Sequence, residues 1–130
     1  MKNNYLLIFA FIIGISILGF LTLSKPASSE NSPNLNNVTE NNGRQNIEII
    51  AKGGYSPRVS LAKANMPTTL KVKTNGTFDC SSSLTIPQLN FTKLLSNSET
   101  IEIPLPAQKP GSVIRGLCGM GMYNFEIQFS

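Results

Sequence analysis

The 130-residue chain contains no histidine, only two cysteines, and no run of charge of either sign. Without imidazole it has no histidine base, so no Ser-His or Cys-His nucleophile pair can be assembled. The serines of 81-SSS-83 have no evident activating partner. The acidic residues Glu48, Asp79, Glu99, Glu102 and Glu126 are dispersed, mostly at outward strand positions, and form no catalytic pair. Gly53-Gly54 precedes no helix and reads as a turn, not a phosphate loop. The chain is therefore expected not to be an enzyme. The 11 basic residues exceed the 7 acidic ones, for a net charge of +4, yet they are spread singly. Only Lys71 and Lys73 share a strand face, which reads as a solvated edge. Nucleic acid is not expected as a partner.

What is present begins with one long apolar stretch. Lys2 precedes 5-YLLIFAFIIGISILGFLTL-23, nineteen residues without a charge. As a helix it would span about 28 Å, close to the hydrocarbon thickness of a bilayer. Lys25 and Pro26 follow directly, with no A-x-A cleavage pattern and no cysteine for a lipid anchor. The expectation is a cytoplasmic N-terminus at 1–4 and an uncleaved transmembrane signal-anchor at 5–23, with a cleaved signal peptide as the alternative. Lys2 and the terminal amine hold the N-terminus inside, and either reading places the rest of the chain outside the cytoplasm. Residues 24–45 are rich in Ser, Asn, Pro and Glu, and Leu35 and Val38 are their only aliphatics larger than Ala. This composition predicts a flexible polar linker.

From residue 46 to 130 the pattern has period two. The runs are 47-IEII-50, 57-PRVSLA-62, 68-TTLKVKT-74, 83-SLTI-86, 91-FTKLL-95, 100-TIEIPL-105, 112-SVIRGLC-118 and 123-YNFEIQF-129. Val59 and Leu61 share one face, and so do Tyr123, Phe125, Ile127 and Phe129. Gly53-Gly54, Asn65 to Pro67, Asn75-Gly76, Pro104 to Pro106 and Pro110-Gly111 punctuate the runs. No amphipathic helix of ten residues is present; only 87–99 is irregular enough for a helical turn. Seven or eight short strands with such turns predict an all-β sandwich or barrel of about 85 residues, a small core that a metal or disulfide would help to hold.

The sulfur residues raise the functional question. Cys118 closes the penultimate strand in 117-LCGMGM-122, so Met120 and Met122 sit between glycines on a tight connection. Cys80 lies at the end of a strand or in the loop beyond it, next to Asp79, which reads as a turn residue. A Cys80–Cys118 disulfide would enclose 37 residues and add roughly 3–4 kcal/mol in the chain-entropy model. In that case the methionines are apolar fillers. Alternatively, Gly-flanked Met120 and Met122 can be aimed with the thiols at one point. Thiolate and thioether sulfur are soft donors that select Cu(I) over hard ions. Two thiolates also suit zinc, but zinc sites rarely use thioethers.

At this point the order of features resembles a cupredoxin, the plastocyanin and azurin superfamily, over about residues 46–130. The stretch 52-KGGYSPRVSLAKANMPTTLKVKTNGTFDC-80 is similar to the opening strands of small bacterial cupredoxin-like domains. The stretch 110-PGSVIRGLCGMGMYNFEIQF-129 is similar to the closing pattern: a Pro-Gly turn, a strand ending in Cys, a short ligand loop ending in Met, and a final strand. The resemblance implies a cupredoxin-like Greek-key β-sandwich. Cys118 matches the family cysteine, and Met122, two residues before Asn124, matches the axial methionine. Cys80 falls where the first histidine belongs, and Met120 where the second is expected. With both histidines replaced, a blue-copper His₂Cys centre is not implied. The resemblance implies instead the bacterial heavy-metal-handling type, with Cys80, Cys118, Met120 and Met122 as candidate ligands for copper as Cu(I). A copper transporter or cuproenzyme is the implied partner. In such a sandwich the two ligand loops meet at one pole, so a Cys80–Cys118 disulfide stays open for the oxidised protein. A metal-free interaction module and a modified-site electron-transfer cupredoxin are the alternative functions.

Overall fold

The computed structural model describes residues 35–130. The expected cytoplasmic N-terminus (1–4), the signal-anchor (5–23) and the linker as far as residue 34 lie outside the described residues. No helix among the described residues is long and apolar enough to cross a membrane.

Ten strands form two five-stranded sheets. The first sheet runs β1 (Val38–Asn41), β2 (Arg44–Ala51), β5 (Thr68–Thr74), β8 (Thr100–Leu105), with the two-residue β3 (Tyr55–Ser56) also paired to β2. The second runs β4 (Val59–Ala62), β10 (Asn124–Phe129), β9 (Val113–Cys118), β6 (Ser83–Ile86), β7 (Phe91–Leu94). Both sheets are mixed: β2–β5 and β4–β10 are parallel, and the other pairs are antiparallel. Alternate residues of each long strand turn inward, as period-two patterning demands. Ile47, Ile49, Leu70, Val72, Ile103 and Leu105 of one sheet meet Leu84, Ile86, Ile114, Phe125, Ile127 and Phe129 of the other in a single buried core. The all-β sandwich expected from the sequence is therefore present. The helical turn expected within 87–99 is a 3-10 turn at Pro87–Leu89.

Three expectations are corrected. The strands number ten, not seven or eight, and the fold begins inside the stretch taken as linker. β1 and β2 form a hairpin across Asn42-Gly43, both with positive φ (50° and 73°), the backbone of a tight two-residue hairpin turn. Gln45 is fully buried. Its amide nitrogen donates to the Lys63 carbonyl (2.6 Å) and to Thr68 Oγ1 (2.8 Å), and its Oε1 accepts from the Lys63 amide (2.9 Å). One side chain thus locks the start of β2 to the turn between β4 and β5. Val59 and Leu61 share one face, as expected, and it is the outer one. The parallel register sets Ser60 beside Ile127 and Ala62 beside Phe129, so Ser60 and Ala62 turn inward. Ser60 Oγ satisfies its hydrogen-bonding need by accepting from Asn37 Nδ2 at 2.7 Å. Third, Lys71 and Lys73 lie on β5, between β2 and β8, so they occupy the outer face of an internal strand and not an edge. Lys71 pairs with its cross-strand neighbour Glu102 at 3.1 Å.

Gly116 shows how tightly the second sheet packs. It faces Phe125 across the β9–β10 ladder, and a Cβ there would lie 2.1 Å from the Phe125 ring. The ring occupies the space that a side chain would need, and it meets the Tyr55 ring in a T-shaped contact, with centroids 5.1 Å apart.

Gln45→Ala should lower stability by about 1–3 kcal/mol, because it strands partners inside the fold. Equilibrium denaturation of the variant tests this. A loss below about 0.5 kcal/mol, the range of neutral surface changes, would contradict the role assigned to Gln45.

Candidate metal centre

Cys118 ends β9 with its side chain turned into the sandwich and 2% exposed. Its position opposite Leu84 in the β6–β9 ladder brings it to the start of β6, which follows the 3-10 turn Cys80–Ser82. That turn is fastened from two sides. Asp79 caps it: the Ser81 amide and hydroxyl donate to Oδ1, and the Gly53 amide donates to Oδ2 at 2.8 Å. Thr77 Oγ1 donates to the Ala51 carbonyl at the end of β2. The Ser81 hydroxyl, followed by the amides of Gly53 and Ser81, holds the Asp79 carboxyl below its usual range. The turn role expected for Asp79 is the one it plays, and Ser81, unpartnered in the sequence reading, is its buried ligand.

The consequence is that the two sulfurs touch. Cys80 Sγ lies 2.9 Å from Cys118 Sγ, and both cysteines are free. The separation exceeds the 2.05 Å of a disulfide and fits a thiol donating to a thiolate. The Cys80 thiol is pushed up to about 11, first by its hydrogen bond to Cys118 and then by burial and neighbouring negative charge. For Cys118, burial is the largest single effect and pushes the thiol up. It is outweighed by the hydrogen bond from Cys80 and by the amides of Tyr123, Met120 and Met122, so the net direction is down. The two thiols therefore titrate as an interacting pair in which Cys118 is the more acidic sulfur.

The loop between β9 and β10 supplies those amides. The Cys118 amide donates to the Tyr123 carbonyl (2.9 Å) and the Gly121 amide to the Cys118 carbonyl (2.8 Å), closing a tight turn. Gly121 has φ +70°, which a side chain would strain. The Gly119 amide donates to the Ser83 carbonyl at 2.9 Å, and a Cβ on Gly119 would meet Ser83 Oγ at 2.6 Å. The glycines thus let the loop lie flat on the start of β6.

Of the four sulfur residues singled out in the sequence, the structure brings together Cys80 and Cys118 only. Met120 and Met122 leave the same loop but turn to solvent, 77% and 66% exposed. Phe78, beside the cysteine turn in sequence, is also exposed. No cluster of three or more Cys, Asp or Glu is present among the described residues, and the soft donors gathered here are two thiols with two exposed thioethers on the adjoining loop. That set suits a soft monovalent ion and lacks the hard or imidazole donors of other centres.

Tyr55 lies within the 52–80 stretch, two residues before Pro57. Its side chain is buried and its hydroxyl has no partner among the described residues. Burial first, then the charges of Cys118, Cys80 and Asp79, push the phenol up. It is a neutral wall behind the thiol pair, for which a single sequence gave no functional signal.

In the reduced, metal-free chain, the cysteine Cβ resonances should titrate in two separated steps. One lies below the ordinary thiol range and the other near 11. Cys80→Ala should raise the Cys118 step by removing the donor it relies on. A single shared step at the ordinary value of about 8.5 would contradict the arrangement.

A cupredoxin-like domain family model matches residues 13–127. No curated protein sequence matches the chain. Three solved structures share the fold. The metal-binding domain of the Cu(I)-exporting P-type ATPase CopA of Streptococcus pneumoniae D39, determined with Cu(I), has a TM-score of 0.64 at 20% identity, covering 72% of this chain and 92% of that one. A copper-binding protein in its apo form has a TM-score of 0.66 at 18% identity, covering 77% and 99%. Auracyanin B has a TM-score of 0.51 at 11% identity, covering 77% and 99%. With the sandwich and its loops in place and the family match spanning most of the sequence, the chain belongs to the cupredoxin-like domain family.

Proposed function

We propose that the chain is a membrane-tethered, extracytoplasmic copper protein that sequesters Cu(I) or passes it to a transporter or cuproenzyme. The observation that carries this reading is the contact of two thiols, 2.9 Å apart, at one pole of a cupredoxin-like sandwich in a chain without histidine. Family membership and fold relatives that bind copper support it. Cys80 and Cys118 would hold the ion, which separates the sulfurs and displaces the proton between them. Met120 and Met122, exposed on a loop with a glycine at its turn, would fold inward to complete the site or reach outward to a partner. Cu(I) then moves by ligand exchange: an incoming sulfur binds as one of these leaves, so the ion is never released free. The apolar segment 5–23 would keep the domain at the membrane surface.

The sulfur contact also fits a second reading, a metal-free interaction module closed by a Cys80–Cys118 disulfide, since oxidation would need only a small approach of the sulfurs. A modified electron-transfer centre is disfavoured by the absence of imidazole.

Cu(I) titration of the reduced full chain against a competing chelator separates these readings. Tight binding of about one ion, lost in Cys80→Ser and in Cys118→Ser and weakened by the Met120→Leu, Met122→Leu pair, is expected. Absence of tight binding would leave the disulfide module. Unchanged affinity in the methionine variant would remove both thioethers from the site. A blue band with Cu(II) would revive electron transfer.

A further inference from the structure

A cleft of about 400 Å³ opens beside the candidate metal loop, lined by Lys52, Gly54, Arg58, Met122, Tyr123 and Asn124 among others. It shares a wall with the loop: Met122 is exposed, and the Tyr123 ring packs on Gly54, where a Cβ would lie 3.5 Å from the ring. Its two cations differ from the paired cations of the fold. Lys63, Lys71, Lys93 and Arg115 are each paired with a carboxylate, respectively Glu40, Glu102, Glu99 and Glu126. Lys52 and Arg58 have no ion pair among the described residues, and no acidic side chain lines the cleft. The neighbouring carboxylates are engaged elsewhere: Asp79 accepts from the amides of Gly53 and Ser81, and Glu126, whose amide donates to the Arg58 carbonyl, pairs with Arg115. Glu48 faces a different cleft, on the outer side of the first sheet. Two cations without an ion pair among the described residues thus line one concave spot beside an exposed thioether, with the Lys52 ammonium at its rim near Gly76, on a chain of net charge +4.

We propose that this cleft is a docking site for an acidic segment of a partner protein, held by Lys52 and Arg58 so that the segment passes over Met122. An unpaired cation pair in a concave site attracts carboxylates from a distance and orients what it catches. A membrane of anionic lipid would instead be met by cations spread over a flat face, whereas Arg44, Lys73 and Lys109 do not line this cleft. The identity of the partner as a copper donor or acceptor rests on the function proposed above; the charge of the cleft does not.

The test uses the reduced, metal-free full chain in an uncharged detergent. The probe is a short fluorescein-labelled Asp/Glu peptide, with its Asn/Gln counterpart as the control. Anisotropy at low ionic strength should report binding of the acidic peptide only. Lys52→Gln with Arg58→Gln should weaken it roughly three- to tenfold, whereas Lys73→Gln with Lys109→Gln, which removes the same charge elsewhere, should change it less than about twofold. Equal losses in the two variants would reduce the effect to net charge and overturn the proposal. No binding by the unmodified chain would overturn it as well. If phosphatidylglycerol vesicles bind with the same dependence on Lys52 and Arg58 and the peptide does not, the cleft reads lipid and the proposal fails. Because no copper is present, none of these outcomes bears on the Cu(I) titration.

Discussion

The ladder between β6 and β9 places Cys118 opposite Leu84, directly after the turn that carries Cys80. This register brings together two cysteines 38 positions apart in the sequence. A shift by one residue would turn Cys118 out of the sandwich and separate the sulfurs. The register is held on one side by the buried faces of the two strands. On the other side Asp79 and Thr77 fasten the cysteine turn to the end of β2. The sandwich therefore works as a clamp: packing far from the thiols fixes how close they come.

The chemistry at the pole follows from what can approach Cys118. Three loop amides and one thiol face its sulfur, and all four favour negative charge there, against the cost of burial. A buried thiol made more acidic by its neighbours gives up its proton more readily to a soft cation. The thioethers stand apart on the loop surface, where they are accessible to a second protein. The division is between a buried inner pair of thiols and exposed outer thioethers, and the proposed transfer of an ion rests on it.

Much of this was legible in the sequence, because period-two patterning and Gly/Pro turns report directly on strands that face a core. The runs on β5, β8, β9 and β10 are of this kind, and the Cys-Gly-Met-Gly-Met loop lies between the last two strands as its position suggested. The errors have physical sources. β1 and the first residues of β2 are polar apart from Val38, so composition pointed to a linker, although Asn42-Gly43 is a hairpin turn and buried Gln45 is held by three hydrogen bonds. Val59 and Leu61 share a face by local pattern, but the parallel register with β10 decides which face is inward. That register is a long-range property that no local pattern encodes. The outward turn of the methionines and the convergence of Lys52 with Arg58 likewise depend on loops meeting in space.

The central claim is that this domain holds copper through sulfur alone. Copper K-edge X-ray absorption of the Cu(I)-loaded full chain tests it most directly. The account predicts a first shell made only of sulfur, which loses scatterers when either cysteine is replaced by serine. A shell containing nitrogen or oxygen in the unaltered chain, or an unchanged shell after loss of Cys80 or Cys118, would contradict it.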